Sequence, residues 1–153
     1  MGTFRINEGQ LEVPEGWEDR SVTALSFPAK SQKPEASFAI TRDSSLTEGT
    51  TLSAYVDRQM VDMAKTCPRF EVLSRVGLDI DGNPAESLLI AWRSPDGSFV
   101  QQEQTILLLP TGVALVFTAT ASKIRFAEYA PAFKKLISSF SLRKAAPPPR
   151  QRT

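Results

Sequence analysis

Few residues in this chain could do chemistry, and the absences constrain function first. Its 153 residues include no histidine, which removes histidine-activated nucleophiles, imidazole metal ligands and the side chain that titrates nearest neutral pH. Cys67 is the only cysteine, so neither an intrachain disulfide nor a cysteine-based zinc cluster can form. With no histidine to activate it, and placed where a helix should end, Cys67 reads as a packing residue. Asp79 and Asp81 look like a carboxylate pair, but they lead into Gly82-Asn83-Pro84, a turn in which aspartate is favoured for bonding to the backbone. The further acids and terminal glutamate of a calcium loop are missing. Gly77 and Gly82 lack the following Lys-Ser/Thr of a phosphate-binding loop. The residue types therefore point away from an enzyme, a metal site or a bound cofactor.

Amides are the more informative polar groups. In Phe99-Val-Gln-Gln-Glu-Gln-Thr-Ile106, the residues Val100, Gln102, Gln104, Ile106 and Leu108 share one face of a strand. That places two glutamines in an apolar row. An amide both donates and accepts, so such a row can satisfy polar groups of a bound apolar segment; it fits a solvated edge strand equally well. Gln59, Met60 and Met63 repeat the mixture at helical spacing. Methionine there suits either an adaptable binding surface or plain core.

The elements that must carry these residues are mostly strands. Phe4, Ile6, Leu11 and Val13 bracket a hairpin turn at Asn7-Glu8-Gly9. Val22 to Phe27 and Ser37 to Arg42 read as the next strands, separated by Pro28 to Pro34. Phe70 to Ile80, Glu86 to Arg93, Phe99 to Leu109 and Val113 to Ala121 follow, joined by Gly/Pro/Asp turns. Connections this short require antiparallel neighbours. Helical spacing governs Leu52, Tyr55, Val56, Gln59, Met60, Met63 and Cys67, with Thr50 or Thr51 as cap and Pro68 beyond the end. A second apolar stripe holds Ile124, Phe126, Tyr129, Phe133, Leu136, Ile137 and Phe140, with Ser122 as cap; Pro131 must kink this helix or mark its effective first turn. The order predicts an α+β fold with a single antiparallel sheet of about seven strands and two main helices.

Several strands do not alternate. Ser87 to Trp92 and Val113 to Phe117 are apolar on both faces. If two helices cover one face, the other is left apolar and uncovered, which marks an interface; the alternative is a curled sheet whose ends cover each other. Net charge is +1, so no whole-molecule field draws the chain to nucleic acid. Neither a signal peptide nor an apolar run long enough to insert in a membrane is legible, and the lone thiol suits a cytoplasmic protein. The final stretch is different in kind. Three consecutive prolines and the basic Arg143, Lys144, Arg150 and Arg152 predict a disordered tail over 143–153 after a domain over 1–142.

The run Phe4-Arg-Ile-Asn-Glu-Gly-Gln-Leu-Glu-Val-Pro-Glu-Gly-Trp17 and the following Arg20-Ser-Val-Thr-Ala-Leu-Ser-Phe27 carry a resemblance. Together with the Pro110-Thr-Gly112 turn and the terminal Phe133-x-x-x-Ile137-x-x-Phe140 helix, they resemble the Eag chaperones of the bacterial type VI secretion system, which have a PsbP-like fold. The resemblance implies a cytoplasmic homodimer that shields the N-terminal transmembrane helices of a toxin effector and aids its loading onto the VgrG spike. It also implies a client-helix groove, expected here at Thr23, Leu25, Ile40, Gln59, Met63, Gln102 and Gln104. The alternative is a non-enzymatic PsbP-like interaction module outside secretion.

Overall fold

The computed structural model describes residues 2–27 and 35–142. The expected tail and the Pro28–Pro34 connection lie outside the described residues. In chain order the elements are β1 (Gly2–Ile6), β2 (Gly9–Val13), β3 (Val22–Phe27), β4 (Ala36–Asp43), α1 (Leu52–Thr66), β5 (Glu71–Ile80), β6 (Asn83–Arg93), β7 (Phe99–Leu108), β8 (Ala114–Ser122) and α2 (Phe126–Ser138). Strands β3 to β8 form one six-stranded sheet in the order β3-β4-β8-β7-β6-β5, every pair antiparallel. This is the α+β architecture that the turn spacing predicts. Strands β1 and β2 stand apart as a two-stranded hairpin.

Turn chemistry accounts for the tight links. Asp79 accepts the Gly82 amide at 2.8 Å, and Asp81 takes a positive φ of 50° beside Gly82 at 81°. The second aspartate also accepts the Leu142 amide, so these acids serve a turn and a chain end. Helix α1 begins at Thr51, whose hydroxyl accepts from the Ala54 amide at 3.1 Å, and closes with the Cys67 N–H on the Met63 carbonyl.

Two expectations fail, each for a physical reason. The helices do not share a face of the sheet. Phe126, Phe133 and Ile137 of α2 pack on Phe38, Leu107, Leu115, Phe117 and Ala119, whereas Tyr55 and Val56 of α1 pack on Leu88, Ile90, Ile106, Ala114 and Val116. Alternate residues of β8 therefore feed two separate cores, which is why that strand is apolar on both faces. Helix α2 also starts later than its stripe suggests. Arg125 is its N-cap, without a side-chain capping bond, so Ile124 precedes the helix and is 94 % exposed.

Candidate functional site

Each helix packs on only some of the strands of its face. Helix α1 lies mainly over β6 and β7 and reaches Ala114 and Val116 at the start of β8, while the rows that run from β3 through β4 to Thr118 and Thr120 of β8 lie beside it. Register defines those rows. Ala24 pairs with Ala39, Ala39 with Thr118 and Thr118 with Gln104. One step along, Ser26 pairs with Ser37, Ser37 with Thr120 and Thr120 with Gln102. The floor is thus built from alanine, serine and threonine, with two glutamines where it meets α1.

The glutamines are held in order. Gln104 Nε2 donates to Gln102 Oε1 at 2.8 Å and approaches Met63 Sδ on α1 at 3.2 Å. Gln102 Nε2 donates in turn to Thr120 Oγ1 at 3.0 Å. Farther along the helix, Gln59 Nε2 donates to the Tyr55 hydroxyl at 2.8 Å, which donates to Asp43 Oδ2 at 2.9 Å. Burial, then the bond to Asp43, pushes the Tyr55 phenol up to about 12. Asp43 is held below the usual carboxylate range, chiefly by the Ser45 hydroxyl. The result is a small-residue trough with α1 as one wall and fixed amides along the corner.

The structure divides the expected groove residues between the two faces. Gln59, Met63, Gln102 and Gln104 come together on the α1 side. Thr23, Leu25 and Ile40 do not join them. Thr23 pairs with Ile40 and Leu25 with Phe38, and Phe38 and Ile40 pack with the α2 core. Leu25 instead lines a shallow depression with Phe133 and Leu136. The error is one of parity: a one-residue shift moves a strand residue to the opposite face. Ala24, Ser37, Ala39, Thr118 and Thr120 are the floor residues that the sequence reading missed. A signal was present, since Phe38 and Phe117 are the bulky members of their strands, and their chain neighbours must point the other way.

The DcrB family profile matches residues 8–139. The chain belongs to the DcrB family. It is 29 % identical over 139 residues to Effector EagT6 of Pseudomonas aeruginosa, an alignment covering 91 % of this chain and 94 % of that protein. Among solved structures, it matches a Pseudomonas aeruginosa protein of unknown function, the putative regulator PA94, with a TM-score of 0.78 and 28 % identity over 95 % of this chain and 99 % of the other. A cyanobacterial PsbP from Synechocystis matches at TM-score 0.55 and 15 % identity, covering 87 % of this chain and 99 % of its own. LpqN of Mycobacterium tuberculosis, involved in cell envelope biogenesis, matches at 0.56 and 14 %, covering 82 % and 85 %. The last two share the fold alone, which is PsbP-like. Among the described residues, no helix is long and apolar enough to cross a membrane.

Proposed function

We propose that this chain is a type VI secretion chaperone that holds the N-terminal transmembrane helices of a toxin effector in the cytoplasm and aids loading of that effector onto the VgrG spike. The relationship to Effector EagT6 along nearly the whole length of both chains supports the pairing with an effector. The observation that carries the reading is the trough on the α1 side. Its alanine, serine and threonine floor lets a helix approach the sheet closely, and the Gln102–Gln104 ladder offers it fixed amides. Covering apolar helix surface there gains roughly 25 cal/mol per Å². The amides compensate polar groups that neighbouring helices satisfy within a membrane.

The chaperone acts as a homodimer in this reading. Among the described residues, strands β1 and β2 pair only with each other, and neither contains a buried residue. A lone hairpin is at best marginally stable in water. Ile6, Leu11 and the adjoining Trp17 are all exposed, and a second protomer is the cover that completes them.

Two adjacent residues of the edge strand β3 test the groove. Both Ala24 and Leu25 are exposed, so aspartate at either position is compatible with folding. Ala24→Asp places an unpaired carboxylate against the client, at a cost of several kcal/mol, and a co-expressed effector with apolar N-terminal helices should become insoluble. Leu25→Asp puts the same charge on the α2 side and should leave the effector soluble. Gln102→Ala should weaken the complex by about 1 kcal/mol, roughly fivefold in affinity. If both aspartate variants keep the effector soluble, the trough is not the client site, and the interaction-module reading takes its place.

A further inference from the structure

On the α2 side of the sheet, three polar side chains meet in an apolar neighbourhood. Ser87 on β6 lies directly across from Thr105 on β7, and Glu103 is two residues from Thr105, on the same side of the strand. Thr105 is 1 % exposed, and its hydroxyl oxygen has no hydrogen-bond partner among the described residues, although buried hydroxyls are nearly always bonded. Glu103 is half-buried, and burial holds its carboxyl above the usual range. All three line one cavity of about 270 Å³, walled by aliphatic and aromatic groups that include Leu78, Ile137 and Phe140.

Charge selects the ligand. Asp79, Asp81 and Glu103 outnumber Lys134 among the cavity's lining residues, so an anion is disfavoured. The two aspartates are each engaged by one backbone amide, of Gly82 and of Leu142, and Glu103 is the carboxylate that lies beside Thr105 on the same side of β7. Geometry narrows the choice. An ammonium fans three donors toward three separate acceptors, while a planar guanidinium is built for one bidentate carboxylate. We propose that this cavity binds a protonated aliphatic amine, with Glu103 as counter-charge, the Ser87 and Thr105 hydroxyls as acceptors, and the stem against Leu78, Ile137 and Phe140. Thr105 lines the cavity and its hydroxyl oxygen lacks a bond among the described residues, so the ligand supplies the missing partner. At about 30 Å³ per water-sized group, the space suffices for a butyl stem and its ammonium. The amine is either a free alkylamine or the side chain of a partner's lysine. The site lies across the sheet from the proposed client trough, so it stands or falls independently of that reading.

Titrating the full-length ¹⁵N-labelled protein with n-butylammonium, with 1-butanol as the uncharged control, decides the matter. Saturable shifts of the Ser87, Glu103 and Thr105 amides in the millimolar range are expected, with none from butanol. Glu103→Gln should weaken binding at least tenfold while the rest of the spectrum stays in place, and Thr105→Val should weaken it several-fold. Absence of saturable shifts overturns the site, as does equal binding of butanol or by the Glu103→Gln protein. Spermidine and Nα-acetyl-lysine amide then separate the sources: tighter binding of the first marks a free amine, and of the second a partner's lysine.

Discussion

Tyr55 shows how one buried hydroxyl ties an element to the sheet. It is 3 % exposed, donates to Asp43 and accepts from Gln59, so it joins α1 to the end of β4. The two ends of that bond limit stability from opposite sides. The Tyr55 phenol is raised from about 10 to about 12. The folded state therefore holds its proton more tightly, and the stabilisation is complete below pH 10 and lost as pH rises through about 12. Asp43 is depressed, so its contribution is present above its unfolded value and disappears as pH falls through the lower folded one. Tyr55→Phe should lower unfolding free energy at pH 7 by about 1.5–3 kcal/mol, the range for a hydrogen bond to a charged acceptor. It should also flatten the loss of stability between pH 10 and 12. Urea titrations of both proteins at pH 7 and pH 11 measure both effects. At this scale the sequence is informative along a strand but not between strands. Gln102 and Gln104 are legible as sharing a face because they lie on one strand. Thr23 and Ile40 are paired and share a face as well, yet the side that face takes depends on a register with β8 that is set far away in the chain.

Helix α1 is both a wall of the trough and the cover of one core, so what fastens it governs both. Its cap is local: Thr51→Ala should cost about 1 kcal/mol in a urea titration, the ordinary value for a lost threonine cap. A second fastening is long-range. Arg75 on β5 donates to Glu86 at 2.6 Å on the neighbouring strand, to Asp57 at 2.5 Å and to the Ser53 carbonyl at 3.1 Å on α1. The Glu86 side chain is only 16 % exposed, so removing the arginine leaves a largely desolvated carboxylate without its cation. Arg75→Met should destabilise by about 2–3 kcal/mol, and Glu86→Met in the same chain should restore a large part of that. A double mutant no more stable than Arg75→Met alone would mean that the guanidinium's bonds to α1, rather than relief of Glu86, account for the loss. The existence of both helices is legible from period, and that of α1 from its Thr51 cap as well, whereas the expected Ser122 cap is not used and α2 starts after Arg125. Their placement on opposite sides is not legible, because an apolar stripe states that a helix packs without stating against which side. Here the chain decides it: α1 bridges β4 and β5 across one side, and α2 folds back from β8 onto the other.

Taken as a single protomer, the molecule leaves its hairpin and Trp17 without adequate cover, and this bears directly on assembly. The six-stranded sheet owns two cores. The hairpin has none. Phe4 and Val13 line an open cavity of about 630 Å³ together with Trp17, which is itself 74 % exposed. Burying these residues against a second copy stabilises both chains at once, since a twofold contact repeats every gain. Light scattering should accordingly give twice the 16.8 kDa of the chain at micromolar concentration. Trp17→Ala should raise the dimer dissociation constant at least tenfold, because a buried tryptophan is the commonest kind of interface anchor. Unfolding of the isolated sheet should change little, since Trp17 contributes to neither core. Fluorescence offers an independent check. There are two tryptophans, and Trp92 is already half-buried against the α1-side core, so the quencher-accessible fraction reports mainly on Trp17. That fraction should rise on dilution as the dimer dissociates, and in Trp17→Ala it should be small and independent of concentration. A mass that stays near 16.8 kDa at every concentration, with Trp17 freely quenched throughout, would show that the hairpin waits for a partner other than this chain.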